Sequence, residues 1–513
     1  MAACKRLCIA SVLFLMTLMP MHQALLAASS SNLLSIFGSS VAKGYGSSGQ
    51  YSNVTIGGSY SNSYGALLTL YMATNNWVVT NQSIPGDTTT NVVNRFYSDE
   101  VPVHARAVLI GLSMGNEGLA LSTNPQSIFD GFIHGITNLI AMSRSNNLLP
   151  IVGGGYPRNA YTTNQYGYLK RMDLLLNTLD VPIINFLGAT DDGQGHWGKL
   201  SAPDIWHPND AGFYEMFLAI VPSVFDALGA GKPTPHWSTS ERFLRVLADP
   251  GQPAPLSFTP SSLVHSFAVS FRVRSGATGT VASVTLPNAT VHPTVEIPSG
   301  NLVYVASSGQ VVASGVAGND GYWHDIVVTH EFVRTQTWFY VDGVLRGTAA
   351  EQLTPAGFVL GGAGSALSRP GSPASADYRD WFVHRSMLNA EEVQAQRQGA
   401  LQQASLEVYA PLDDTEFVAG STAANRAQSM SLARVNGANL RSELMNPIGY
   451  AGGSVNLTFS VPPGAQFELW RSATPAFSPY TVLLLTNAPA NGVFFFVDTN
   501  PILPSGFYTI RQR

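Results

Sequence analysis

The residue pattern changes once, at Gly229–Ala230–Gly231–Lys232–Pro233–Thr234–Pro235, and this change limits what the chain can fold into. Before it, short apolar runs alternate with longer helix-like stretches. The runs are Leu33–Gly38, Trp77–Asn81, Ala107–Leu112, Leu148–Val152 and Val181–Phe186; the stretches include Ser127–Ser143 and Gln165–Leu179. Strands that alternate with helices build βαβ units, hence a parallel sheet covered on both faces. The last helix of this half should start near Pro208–Asn209 and end before Gly229.

After the linker the runs are short and alternating, with Gly, Pro and Ser turns between them. Ser266–Val273, Asp325–Thr329 and Thr337–Val341 are examples, and Asp342–Gly343 after the last marks a hairpin. This is a β-sandwich pattern. One helix is expected at Asn389–Gln398, with Asn389 as N-cap and Glu391–Glu392 in its first turn. A third segment offers the strands Val455–Val461, Phe467–Arg471, Tyr480–Leu485, Val493–Val497 and Phe507–Arg511, enough for a small sandwich. The organisation expected is a leader at 1–28, an α/β domain at 29–228, a linker at 229–236 and a β-sandwich at 237–415. A connecting segment at 416–449 and a C-terminal β domain at 450–513 complete it.

The leader has Lys5 and Arg6 ahead of an apolar run, about Leu7 to Met19, then Ala27–Ala28 before Ser29. That is the form of a secretory signal peptide, and the run is short for a membrane span. A secreted or periplasmic protein with no stable span after cleavage is expected. Both cysteines, Cys4 and Cys8, fall in the leader, so the mature chain has no disulfide, thiol nucleophile or cysteine metal site. Hydrophobic residues make up 45% of the chain, charged residues 12%, and the formal charge is −5 with no basic block. Nothing there fits a nucleic-acid partner.

Four pieces of the α/β domain fit one chemistry. Ser40, in Gly38–Ser39–Ser40–Val41, follows the first strand, where a parallel sheet presents reactive groups. A serine hydroxyl needs a base near neutrality, and His207 in Asp204–Ile205–Trp206–His207 is a candidate. Asp204 is placed to orient its ring. Gly86 and Asn116 each follow a later strand, and a Gly86 N–H and an Asn116 amide are donors for an oxyanion. Each piece alone also reads as an ordinary loop residue.

In this order, Ser, Gly, Asn and Asp-x-x-His resemble the blocks of the SGNH (GDSL-like) hydrolase superfamily over about 33–225. The resemblance implies a three-layer, flavodoxin-like α/β fold and a serine esterase without a catalytic cofactor or metal. It implies Ser40 as nucleophile, Asp204 and His207 as the rest of the triad, and the Ser40 N–H, Gly86 N–H and Asn116 side chain as the oxyanion hole. Two departures stand out. Ser39 replaces the family's aspartate, and Gly115 lies one place later than the family's glycine.

The second domain contains Trp323–His324–Asp325, Trp338–Phe339–Tyr340–Val341–Asp342–Gly343 and Asp377–Tyr378–Arg379–Asp380–Trp381. It resembles the laminin-G/concanavalin-A-like jelly roll, which implies glycan binding and a structural Ca²⁺, with Asp320, Asp377 and Asp380 as candidates or as plain strand-end carboxylates. The third resembles small β-sandwich modules at the ends of secreted bacterial enzymes. Trp197, in the loop Asp191–Trp197, and Trp206 are candidate substrate contacts, and Tyr51, Tyr60 and Tyr64 are further candidates to line a sugar cleft. The bland reading of these rings is core packing. An acylated, particularly O-acetylated, polysaccharide is the expected ester substrate. A lipase or lysophospholipase on lipid esters, and an inactive glycan-binding or adhesion protein, are the alternatives. The oligomeric state is not legible.

Overall fold

Leu33–Gly38 reads LLSIFG, and five of its six residues are buried. A strand apolar on both faces belongs inside a sheet covered on both sides. The computed structural model describes residues 32–247, 254–287, 293–361, 374–437, 440–444, 448–451, 454–460, 466–473, 479–487, 489, 493–502 and 507–512. The expected leader at 1–28 lies outside the described residues. Among the described residues, no helix is long and apolar enough to cross a membrane.

The N-terminal half holds a sheet with the strand order Val78–Asn81, Leu33–Gly38, Ala107–Gly111, Leu149–Gly153. Leu33–Gly38 pairs parallel with both neighbours, and Ala107–Gly111 pairs parallel with Leu149–Gly153. Helices Pro125–Ser145 and Thr163–Leu176 fall on the two expected stretches. The helix expected from Pro208 to Gly229 is instead two, Asp210–Leu218 and Val224–Gly229. Pro222 lies between them; its ring disfavours helical backbone at Val221 and it has no N–H to continue a ladder.

By packing, the chain divides into two units. The first holds the described residues up to 153, with 158–168 and 200–217; the second holds 154–157, 169–199 and the chain from 218.

In the second unit two eight-stranded sheets form a sandwich. Phe271, Tyr378, Trp381, Phe339 and Tyr304 are among the side chains buried in its core. Val341 pairs with Val344 across Asp342 (φ 55) and Gly343 (φ 73), the two positive φ values of a tight two-residue hairpin. Helix Ala390–Arg397 is capped by Asn389, whose side chain accepts from the Glu392 N–H while the Glu392 carboxylate accepts from the Asn389 N–H. The segment 416–449, read above as a connection, contributes Thr422–Ala423, Ala433–Val435 and Leu440–Leu444 to the sandwich sheets. Those runs are too short to show alternation in sequence. Two three-stranded sheets follow at the C-terminus around Leu457, Phe467 and Leu469.

Three buried carboxyls make stability pH-dependent. Burial pushes Glu100 up to about 7, Asp173 to about 7 and Glu392 to about 8. Each has a folded value above its unfolded one. The folded chain therefore holds protons that the unfolded chain releases, and stability falls as pH rises through these values. Burial holds His330 and His384 down at about 3 and about 4, which favours folding as pH rises towards 6.5. Thermal unfolding should therefore show the midpoint dropping between about pH 4.5 and 8, most steeply just above pH 6.5 where the histidines stop opposing it. Glu392→Gln should remove about one proton's share of the slope, roughly 1.4 kcal/mol per pH unit. A flat profile over that window would contradict these burial effects.

Candidate active site

The first strand ends where two backbones nearly touch. A Cβ on Gly38 would lie 2.1 Å from the Gly111 carbonyl oxygen, so only glycine fits. The Ser39 N–H donates to the same oxygen (3.2 Å). Ser39 is fully buried and caps no N–H with its side chain. Ser40 then opens a short helical turn, Ser40–Lys43, closed by Gly44 at φ 100. As the first residue of that turn its N–H lies outside the helical ladder. Ser40 is 7% exposed.

His207 comes from a loop that folds on itself. The Ala202 N–H donates to the His207 carbonyl (2.8 Å), and the Asn209 N–H to the Leu200 carbonyl (2.7 Å). Asn209 then accepts from the Gly212 N–H at the start of helix Asp210–Leu218. Asp204 Oδ1 accepts the Trp206 and His207 N–H groups, both at 3.0 Å. Ile205 between them is held at φ 60, a left-handed conformation that a β-branched residue rarely adopts. The turn brings Asp204 Oδ2 to 2.6 Å from His207 Nδ1, and His207 Nε2 lies 2.9 Å from Ser40 Oγ. With Nδ1–H donating to the carboxylate, Nε2 is left as the acceptor facing the hydroxyl.

Burial opposes ionisation of Asp204. Hydrogen bonds from the His207 ring and the two backbone N–H groups outweigh it and hold the carboxyl below its ordinary range. Gly46, at φ 97, leaves room for the histidine: a Cβ there would meet the Pro208 oxygen at 2.4 Å and the His207 Cβ at 2.7 Å. This arrangement can deprotonate Ser40 as it attacks and then return the proton to a leaving group.

Gly86 sits in a turn at φ 87 with open space on its Cβ side. The Asn116 side chain donates to the Asp87 carbonyl (3.0 Å), which ties it to that same turn. Both are therefore joined to the serine loop through Arg95. Arg95 Nη2 donates to the Gly38 carbonyl (3.2 Å), Nη1 to the Gln82 carbonyl (2.8 Å) and Nε to the Asp87 carboxylate (2.6 Å). Its guanidinium lies over the Phe37 ring. The Ile84 N–H adds a direct bond to the Gly38 carbonyl (3.1 Å).

Sequence reasoning missed Arg95, because no local pattern tells which carbonyls an arginine will meet. Nor did it find Glu117, whose carboxylate accepts the Thr89 N–H at the start of helix Thr89–Asn94, or Arg158, which holds the Gly115 carbonyl (2.7 Å) and lies over Trp206. A three-way clamp at these distances should matter. Arg95→Ala is expected to lower kcat about 10–100-fold with little change in KM, the cost of a displacement near 1 Å. Arg95→Lys, which keeps the charge but not the fork, should recover only part of this. Steady-state kinetics on a soluble ester check it; unchanged kcat in both variants contradicts it.

The aromatic candidates separate. Trp206 is 52% exposed and Tyr51 63%. Trp197 is 1% exposed and stacks on Tyr156 at 5.8 Å within the second unit, and Tyr64 is 1% exposed. These two are core rings, a correction to their reading as substrate contacts. Residue type alone does not tell a buried ring from an exposed one. Among the described residues no three His, Cys, Asp or Glu side chains are grouped to hold a metal. Asp377 instead pairs with Arg245 (2.7 Å) and Arg274 (2.6 Å), and Asp320 contacts His324 (3.3 Å).

Residues 36–213 match the GDSL-like lipase/acylhydrolase family, and residues 251–394 match the concanavalin A-like lectin/glucanases superfamily. No curated protein matches the chain. Solved structures similar to parts of it include the psychrotrophic esterase EstA from Pseudoalteromonas sp., at 17% identity over 39% of this chain and 99% of that one, TM-score 0.29. An acetyl-xylooligosaccharide esterase from Geobacillus Stearmophilus is 17% identical over 37% of this chain and 92% of that one, TM-score 0.29. A SAP-like pentraxin from Limulus polyphemus is 13% identical over 40% of this chain and 94% of that one, TM-score 0.28. The chain thus carries a GDSL-like lipase/acylhydrolase domain at 36–213 and a concanavalin A-like domain at 251–394, and its activity class is carboxylic ester hydrolysis.

Proposed function

We propose that this is a secreted serine esterase that removes acyl groups, chiefly acetyl, from a polysaccharide. The observation that carries the catalytic part is the pair of contacts at His207: 2.9 Å to Ser40 Oγ and 2.6 Å to Asp204 Oδ2. In the first step His207 takes the Ser40 proton as the oxygen attacks the ester carbonyl. The oxyanion is held by the Ser40 and Gly86 N–H groups and the Asn116 amide, each such donor worth about 3–4 kcal/mol of barrier. His207 then protonates the departing alkoxide, and water releases the acyl group from Ser40 by the reverse path. No step calls for a cofactor or metal. The glycan part is supported by the concanavalin A-like domain on the same chain, and export by the leader-like first 28 residues.

Two assays test the substrate. Purified protein should release acetate from an O-acetylated polysaccharide. On nitrophenyl esters kcat/KM should fall from acetate to octanoate. A rise with chain length, with no acetate released from polysaccharide, favours a lipid-directed esterase and sinks the acetylesterase reading.

A further inference from the structure

Two consecutive residues, Arg158 and Asn159, touch both loops that bring the candidate site together. Arg158 Nη1 donates to the Gly115 carbonyl (2.7 Å), and the guanidinium lies over the Trp206 ring, 4.9 Å from its centroid. Asn159 Nδ2 donates to Ser201 Oγ (2.9 Å). Ser201 in turn pairs with Pro208, the residue after His207. The pair therefore holds the loop from 201 to 208 where it closes and again at Trp206.

On one side, what Arg158 grips is the peptide before Asn116. The Gly115 carbonyl and the Asn116 N–H share one planar peptide unit, so a bond to that oxygen fixes the plane from which the Asn116 side chain departs. A second bond to the same oxygen, from the Gly118 N–H, is longer at 3.3 Å. A Cβ on Gly115 would lie 3.0 Å from Arg158 Nη1 and 3.3 Å from Tyr161 Oη, so a side chain there would press on the contact. Glycine at 115, one place later than in the family pattern, thus has a physical reason.

On the other side is the residue before the base. Asp204 Oδ1 accepts the N–H groups of Trp206 and His207, and Ile205 ahead of them is held at φ 60. A left-handed β-branched residue persists only where its surroundings impose it. The Trp206 ring is 52% exposed, so packing alone fixes it poorly. The guanidinium over its face lies at a distance where cation and ring attract.

We infer that Arg158 is a positioning residue for ester hydrolysis. By holding the Gly115–Asn116 peptide and the Trp206 ring at once, it sets the spacing between the Asn116 oxyanion donor and the His207 base. Both must meet one ester group, the donor at its carbonyl oxygen and the base at the Ser40 proton. A displacement of about 1 Å between them costs on the order of 100-fold in rate. Lysine cannot replace arginine here, because only a planar fork directs one N–H at a carbonyl while its face lies on a ring. Arg95 ties the Gly86 turn to the serine loop, whereas Arg158 ties the Asn116 loop to the base. The inference rests on the serine-esterase reading of Ser40.

Steady-state kinetics of the full chain on a soluble nitrophenyl ester, with unfolding midpoints, test it. Arg158→Ala should lower kcat about 10–100-fold with KM within about twofold of wild type. Arg158→Lys should stay closer to alanine than to wild type. Trp206→Leu, at an exposed position, should lower kcat at least about threefold without moving the midpoint, and should cost nothing further in Arg158→Ala. Trp206→Phe, which keeps a ring under the guanidinium, should retain more kcat than Trp206→Leu. A folded Arg158→Ala with kcat within about twofold of wild type overturns the inference. So does a rise in KM at unchanged kcat, the mark of a direct substrate contact, and so do losses that multiply in the double variant. If Arg158→Ala does not fold, unaltered kcat in Trp206→Leu overturns it alone. Ser40→Ala measured alongside separates the two readings. If it is inactive while Arg158→Ala is unimpaired, only the positioning role falls; if it is active, the esterase reading falls and takes the role with it.

Discussion

Ser40→Ala is expected to lower kcat on a soluble nitrophenyl ester by about 10⁴–10⁶-fold, roughly 5–8 kcal/mol of transition-state stabilisation. The size follows from what the hydroxyl does. Without it no acyl-enzyme forms, and only donors that hold an oxyanion remain to assist a direct attack by water. The substitution itself is gentle. Ser40 is 7% exposed, and its side chain contributes no helix cap, since Ser39 is the residue before the turn. Alanine also suits a helical turn. The unfolding midpoint should therefore barely move, which separates lost chemistry from lost folding. A fluorophosphonate probe should label the wild type at Ser40 and leave the variant unlabelled. Activity within tenfold of wild type would mean that another group is the nucleophile, and the whole assignment would fall.

The parts of this site that were legible in sequence are those whose geometry is local. Asp204 and His207 are three residues apart, and one turn is enough to join carboxylate and ring. Leu33–Gly38, apolar but for Ser35, identifies itself as a buried strand with Ser40 two residues beyond its end. Arg95 is the opposite case. Its three acceptors, at Gly38, Gln82 and Asp87, come together only because the first strand and the one ending at Asn81 are neighbours in the sheet. Strand order is a tertiary property. The Pro222 break was available in the sequence and is a local effect. The strand bulge where Asp380 and Trp381 together oppose Phe271 was not, because an extra residue in one strand is defined only by its partner strand. Trp197 and Trp206, nine residues apart in one polar stretch, ended with opposite exposures.

Asp204→Asn should lower kcat about 10²–10⁴-fold while leaving KM nearly unchanged. The carboxylate does two jobs. Its Oδ1 accepts the Trp206 and His207 N–H groups and so shapes the turn, and its Oδ2 accepts the ring proton at Nδ1. Asparagine can keep the first job through its carbonyl oxygen. It reverses the second, because an amide N–H₂ facing Nδ1 favours the tautomer with the proton on Nε2. That proton then points at Ser40, and the ring can no longer accept from the hydroxyl. Part of the loss is softened by water, since the Asp204 side chain is 37% exposed and solvent can stabilise the imidazolium. Asp204→Ala loses both jobs and frees the ring to choose its tautomer, while Ile205 keeps its strained φ with the two side-chain hydrogen bonds of the turn gone and only backbone bonds left to hold it. The two variants therefore divide tautomer control from positioning. If control of the proton dominates, asparagine is the worse of the two in kcat, and alanine the worse in unfolding midpoint. If the carboxylate only shapes the loop, alanine is worse in both, and the role assigned to Asp204 reduces to a turn residue.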